Sequence, residues 1–170
     1  MKAIRWLLPT LLLAACAETP PAPAPATPPA HDPVAALAAI NGAAAGLDSA
    51  VQVHPLRDPA IDGFMKDARA AQAAHDLAAA ASAANAALEL SPDAPEILEY
   101  LAELAVARGD WGAAEQFATR SYTLGPKAGS LCARSAQVLV ETRTARGDAA
   151  AAAQARQQVH DCRVPPRVRM

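Results

Sequence analysis

Three cysteines, Cys16, Cys132 and Cys162, are the side chains with the most chemistry to offer. A thiolate can be acylated, can bind a metal, or can pair with a second thiol. The four histidines, His31, His54, His75 and His160, are scattered, and no two of them have the spacing of a metal site. With no phosphate-cradling glycine loop and no nucleophile motif, the residues point to neither an enzyme, a cofactor nor a small-molecule substrate. Glu96, Glu99 and Glu103 are three and four positions apart, so a helix would carry all three carboxylates on one face. Such an acidic stripe suits a basic partner segment, and it equally suits a solvated face that keeps an alanine-rich protein soluble.

The segment that precedes Cys16 decides where those side chains work. Lys2 and Arg5 make a positive start, and the apolar run Trp6 to Ala14 is too short to span a bilayer. Residues 1–15 therefore read as a secretory signal. Leu13-Ala14-Ala15-Cys16 resembles the bacterial lipobox. That resemblance implies acylation of the Cys16 thiol, cleavage just before it, and Cys16 as the lipid attachment. Ala17, where an aspartate would retain the protein at the inner membrane, implies the outer membrane. The implied location is lipid-anchored and facing the periplasm, with membrane contact through the lipid alone.

Removing the first fifteen of 170 residues leaves 155, enough for one domain of ordinary size and a tether. Alanine is abundant, aromatics are 4 %, and stretches of period-two alternation are nearly absent, so the expected fold is all-α. Small side chains bring helices close but bury little area each, which predicts a thin core. Residues 16–32 form the tether. Ala17 to Pro33 holds seven prolines and no apolar pattern, and is expected to be extended and disordered, with a reach on the order of 50 Å. The net charge of −2 is unevenly spread: Ala17 to Thr119 carries 4 basic and 14 acidic residues, Arg120 to Met170 carries 9 basic and 3 acidic. An acidic end and a basic end can steer a protein partner. A secreted, lipid-anchored chain gives no reason to expect nucleic acid.

The helices must be placed by pattern. Asp32-Pro33 is an N-cap followed by proline at the first helical position, and Val34, Leu37, Asn41, Ala44, Leu47 and Val51 come after it at near-helical spacing. A helix over about 33–52 is expected, within a segment 33–54 that caps the open end of the downstream stack, although Gly42 and Gly46 weaken it. From Ile61 the chain repeats at 34 residues. Pro92 and Pro126 lie one period apart, as do the turns His75-Asp76 and Gly109-Asp110. Ala68, Ala80 and Ala87 in one unit match Ala102, Ala114 and Ser121 in the next. Small residues let helix axes approach, Gly-Asp makes the turn and caps the second helix, and proline ends it. These residues resemble the tetratricopeptide repeat, a helix-turn-helix unit of 34 residues. Leu101 and Trp111 fill large positions in the better-matched unit, Pro95 to Ala128. In a third unit, from Gly129, the turn Arg146-Gly147-Asp148 arrives four residues late, which predicts a longer first helix. The resemblance implies a short α-solenoid of about three units over residues 61–162, preceded by the N-terminal helix.

Within that repeat geometry Cys132 starts a first helix and Cys162 ends the antiparallel second helix. The implied disulfide closes about thirty residues and contributes about 3 to 4 kcal/mol in an oxidising periplasm. Tetratricopeptide units bind segments on the face lined by their first helices. The positions carried over are Asp62, Met65, Arg69 and Gln72, then Glu96, Glu99, Glu103 and Val106, then Gln137, Val140 and Glu141. Reversing Glu96, Glu99 and Glu103 to lysine is expected to abolish partner binding without unfolding the domain. No lysine and arginine clamp for a terminal carboxylate is present among these positions. The basic, proline-interrupted tail, residues 163–170, should not continue a helix. Lipobox, proline/alanine arm and short repeat domain together resemble the outer-membrane lipoproteins that activate class A penicillin-binding proteins in peptidoglycan synthesis. The alternative is a pilotin or assembly factor for an outer-membrane secretin, pilus or barrel complex.

Overall fold

Every element that positions the candidate face begins with a proline, an aspartate cap or both, except α6, which starts after a glycine. The computed structural model describes residues 31–47 and 58–163. Among these lie seven helices and no strand: α1 (Pro33–Ala44), α2 (Pro59–Ala73), α3 (Leu77–Leu90), α4 (Pro95–Ala107), α5 (Trp111–Leu124), α6 (Ser130–Ala145) and α7 (Ala149–Asp161). The signal 1–15, Cys16, most of the arm, residues 48–54 and the tail from Val164 fall outside the described residues.

Proline opens α1, α2 and α4, where its missing N–H costs nothing. Asp32 and Asp58 cap the first two of these by accepting from Val34 N and Ala60 N, each at 2.9 Å. The second helices start with a repeated device. Asp76, Asp110 and Asp148 accept from Ala79 N, Ala113 N and Ala151 N at 2.9, 3.0 and 2.9 Å. Ahead of each aspartate, one residue takes a left-handed conformation: His75 (φ 60°), Gly109 (φ 70°) and Gly147 (φ 74°). The aspartate N–H then reaches back five residues, from Asp76 to Ala71 O, Asp110 to Ala105 O and Asp148 to Arg143 O. This is the Schellman closure, and it makes the three hairpin turns equivalent.

The hairpins α2/α3, α4/α5 and α6/α7 stack in order, α3 against α4 and α5 against α6, while α4 also touches α6. Ala68, Ala80, Ala87, Ala102, Ala114 and Ser121, the small positions of the repeat, are all buried at their crossings. Ser121 shows why a hydroxyl is admitted there: it donates to Pro95 O at 2.7 Å and is hydrogen-bonded to Ser135 at 2.8 Å. The late third turn has the expected cause, since α6 has sixteen residues and α4 thirteen. The last hairpin is closed by a Cys132–Cys162 disulfide with the Cα atoms 5.6 Å apart, and Gly129 N donates to Cys162 O at 2.9 Å beside it.

The N-terminal helix departs from expectation in length and in place. It ends at Ala44, eight residues short of 52, because Ala45 turns out of helical geometry and Gly46 takes φ 76°. It packs on α6 and α4, and does not cover the open first hairpin. Its apolar stripe, Ala36, Ile40 and Ala44, is nearly fully buried, and Ile40 joins a core with Val106, Val138, Leu139 and Val140. Burial of that apolar stripe against the α4/α6 core favours this place.

Candidate docking face

The first helices α4 and α6 lie side by side and bring charged residues together at the centre of their shared face. Arg134, on α6, donates from Nε to Glu99 Oε1 at 3.0 Å and from its second terminal nitrogen to Glu103. Its remaining terminal nitrogen donates to Asn41 Oδ1, on α1, at 3.2 Å. One guanidinium thus ties three helices through its planar fork, a geometry lysine cannot supply. Further along α6, Glu141 accepts from Gln137 at 2.6 Å and pairs with His31 Nε2 at 2.7 Å. His31 also stands edge-on to Trp111, with ring centroids 5.0 Å apart. The residue just before the α1 cap and one near the end of α1 therefore both reach polar groups on the face that its apolar stripe covers.

Burial changes the character of the carboxylates. Glu99 is 7 % exposed, and desolvation, reinforced by the hydrogen bond to Glu103 and its charge, pushes its carboxyl well above the usual range. Arg134 pulls the other way without winning. For Arg134, burial works against the charge, but Glu99 and Glu103 outweigh it and raise its pKa. Tyr100, whose hydroxyl donates to Gln72 on α2 at 2.8 Å, is raised mainly by burial, with Arg69 opposing and Glu103 assisting.

Several positions expected to line an open groove are therefore interior. Met65, Glu99, Val106, Val140 and Glu141 are buried; Gln72, Glu96, Glu103 and Gln137 are half-buried; Asp62 and Arg69 are exposed on α2. The acidic stripe is not a free surface, because Glu99 is buried, Glu96 and Glu103 are half-buried, and Arg134, itself bonded to Asn41 of α1, pairs with Glu99 and Glu103. Reversing the three glutamates would accordingly attack the interior. Arg134, His31, Asn41 and Trp111 had no assigned binding role in the sequence pattern. Arg134 had a signal: it stands 31 and 35 residues after Glu103 and Glu99, about one repeat, so adjacent first helices were bound to set opposite charges together. Among the described residues, no group of histidines, cysteines and carboxylates is arranged to hold a metal, and no helix is long and apolar enough to cross a membrane.

The fold and face define a class: an all-helical stack of hairpins whose charged centre is covered by the protein's own N-terminal helix. No family model and no curated protein matches the chain. Among solved structures it is similar to the globular C-terminal domain of LpoP from P. aeruginosa, at 30 % sequence identity and a TM-score of 0.56. The alignment covers 62 % of this chain and 99 % of that domain. With that identity over almost the whole domain, the chain belongs to the LpoP family.

Proposed function

We propose that the protein is an outer-membrane lipoprotein, anchored through lipid on Cys16, that displays a tetratricopeptide-type domain in the periplasm and activates a class A penicillin-binding protein. The observation that carries this reading is the similarity to the LpoP domain over 99 % of its length, joined to the lipobox and the proline-rich arm of this chain. The arm, about 50 Å when extended, would let the domain reach away from the outer membrane. The work is binding, not catalysis: docking stabilises the more active state of the synthase, by an amount set by the difference in affinity for the two states. Asp62 and Arg69, which stay at the surface, are the carried-over positions offered to that contact.

Crosslinking the full lipidated protein in its native cells, with identification of the proteins that co-purify, tests the reading. A bifunctional penicillin-binding protein that is lost when the arm is shortened supports it. A secretin or barrel component, recovered whatever the arm length, would replace it with an assembly factor.

A further inference from the structure

The face of α4 and α6 is already filled by a helix, and the filling has the form of a ligand. α1 does not sit on α2, the next helix in the chain, and fourteen residues, 45–58, separate the two. Twelve residues are too few for a helix to be stable alone in water, so α1 depends on the face. It also carries a built-in weakness. Gly42 lies in the helix, and a Cβ there would meet nothing within 4 Å, so glycine is not required by packing. Apart from Ile40, the side chains that α1 buries most deeply are only methyl groups, Ala36 and Ala44. The receiving side is by contrast fully built: Val106 and Val140 below, Arg134 held between Glu99 and Glu103, and Glu141 held by Gln137.

We propose that the α4/α6 face is a helix-docking site and that α1 is its replaceable occupant. This rests on the reading of the domain as a partner-binding module and deepens it by naming the kind of segment bound. The partner element is an amphipathic helix with small, branched aliphatic and small residues at i, i+4 and i+8, as in Ala36, Ile40 and Ala44. A carboxamide or other acceptor comes directly after the aliphatic residue to meet Arg134, as Asn41 does at 3.2 Å. A cationic or imidazole side chain just before the helix cap meets Glu141, as His31 does at 2.7 Å. Small residues are demanded because α1 approaches closely enough to bury Ala36 to 1 % exposure. The chain entering from the arm reaches the domain at α1, so the occupant is also the element nearest the anchor.

The test uses the full chain and a labelled synthetic peptide of residues 31–47 as probe. Ile40→Asp should release α1 and leave the face intact, so that folded Ile40→Asp protein captures the peptide at least tenfold more tightly than wild type. Gly42→Ala should act oppositely, because a better helix former competes more strongly in cis: peptide capture falls about two- to fivefold, and hydrogen exchange of α1 slows by a similar factor while α2 to α7 are unchanged. In the peptide, arginine at the His31 position should bind better than glutamate, since Glu141 faces it. The proposal is overturned if α1 amides exchange only as slowly as those of α4 and α6, or if folded Ile40→Asp protein ignores the peptide. If Ile40→Asp does not fold, the Gly42→Ala exchange result decides alone. Neither readout involves a penicillin-binding protein, so a failure here is distinguishable from a failure of the crosslinking experiment.

Discussion

His75 occupies a backbone position that its side chain does not suit. The two equivalent turns use Gly109 and Gly147 at nearly the same φ, while His75 is held at φ 60° with its side chain exposed. Left-handed geometry costs a residue with a Cβ roughly 1–2 kcal/mol, so His75→Gly should raise unfolding stability by about 1 kcal/mol, read as a higher urea midpoint at unchanged slope. No gain would mean that the imidazole makes a compensating contact in the turn. Glu99 is the opposite case, a charged residue type in a place that disfavours charge. Its folded pKa lies above the unfolded value, so between the two the native state holds a proton that the unfolded chain has released. Stability from this group is therefore present at low pH and is lost as pH rises, over a window that opens near the ordinary 4.5 and closes at the raised value. Glu99→Gln, which keeps an acceptor for Arg134 and offers a donor to Glu103, should remove that part of the pH slope and hold stability at neutral pH. Equal slopes for the two proteins would show that Glu99 is ionised in the fold.

The hairpins were legible because everything that makes them is local. A cap, a left-handed residue, a proline and a small residue at a crossing each act within a turn or two of their own position, and the 34-residue period repeats them. Pairing of Cys132 and Cys162 came from the same geometry, since hairpin ends meet whatever the sequence between them. That staple spans 30 residues in the chain, at the edge of the stack where alanine gives thin packing. Restricting the unfolded chain to that loop is worth about 3 to 4 kcal/mol. Reduction, or the Cys132→Ser, Cys162→Ser pair, should lower the melting temperature of the domain by several degrees, and an identical melt would mean that the disulfide adds nothing to its stability. α1 was less legible. Its cap and its apolar stripe predict a helix with one buried side, but a stripe states only that something apolar lies opposite. Gly42 and Gly46 weakened the expectation of a helix to about residue 52, and α1 ends well before that, at Ala44.

Whole-molecule burial reversed the meaning of the acidic stripe. Glu99 and Glu103 have side chains 9 and 12 % exposed, each bonded to Arg134. Changing Glu96, Glu99 and Glu103 to lysine would set two new cations against Arg134 beneath α1, with neither of its carboxylate partners left to balance them. Breaking a buried pair in this way costs about 3–5 kcal/mol, a large part of the stability of a domain of this size. The triple variant should thus show loss of helical signal or a sharply lowered melting temperature, in place of a folded domain that merely fails to bind. A folded triple variant with a normal melt would mean that the face tolerates positive charge next to Arg134. Asp62→Lys with Arg69→Glu is the better probe of partner contact, because both positions are exposed and their reversal leaves the interior alone.

Composition, periodicity and capping residues dictate that the described residues form helices, that these repeat, and where their turns fall, because backbone hydrogen bonding and helix packing are governed by neighbours in sequence. The same order of residues places a segment resembling a lipobox and a proline-rich stretch ahead of the domain. Which surface of the repeats faces water is a different kind of fact. It depends on α1 finding the α4/α6 face, where Asn41 meets Arg134 from 93 residues away, and on Arg134 reaching back across a repeat to Glu99 and Glu103. Those contacts are non-local, and burial and desolvation, the forces that settle them, depend on the assembled neighbourhood of a side chain and not on its type.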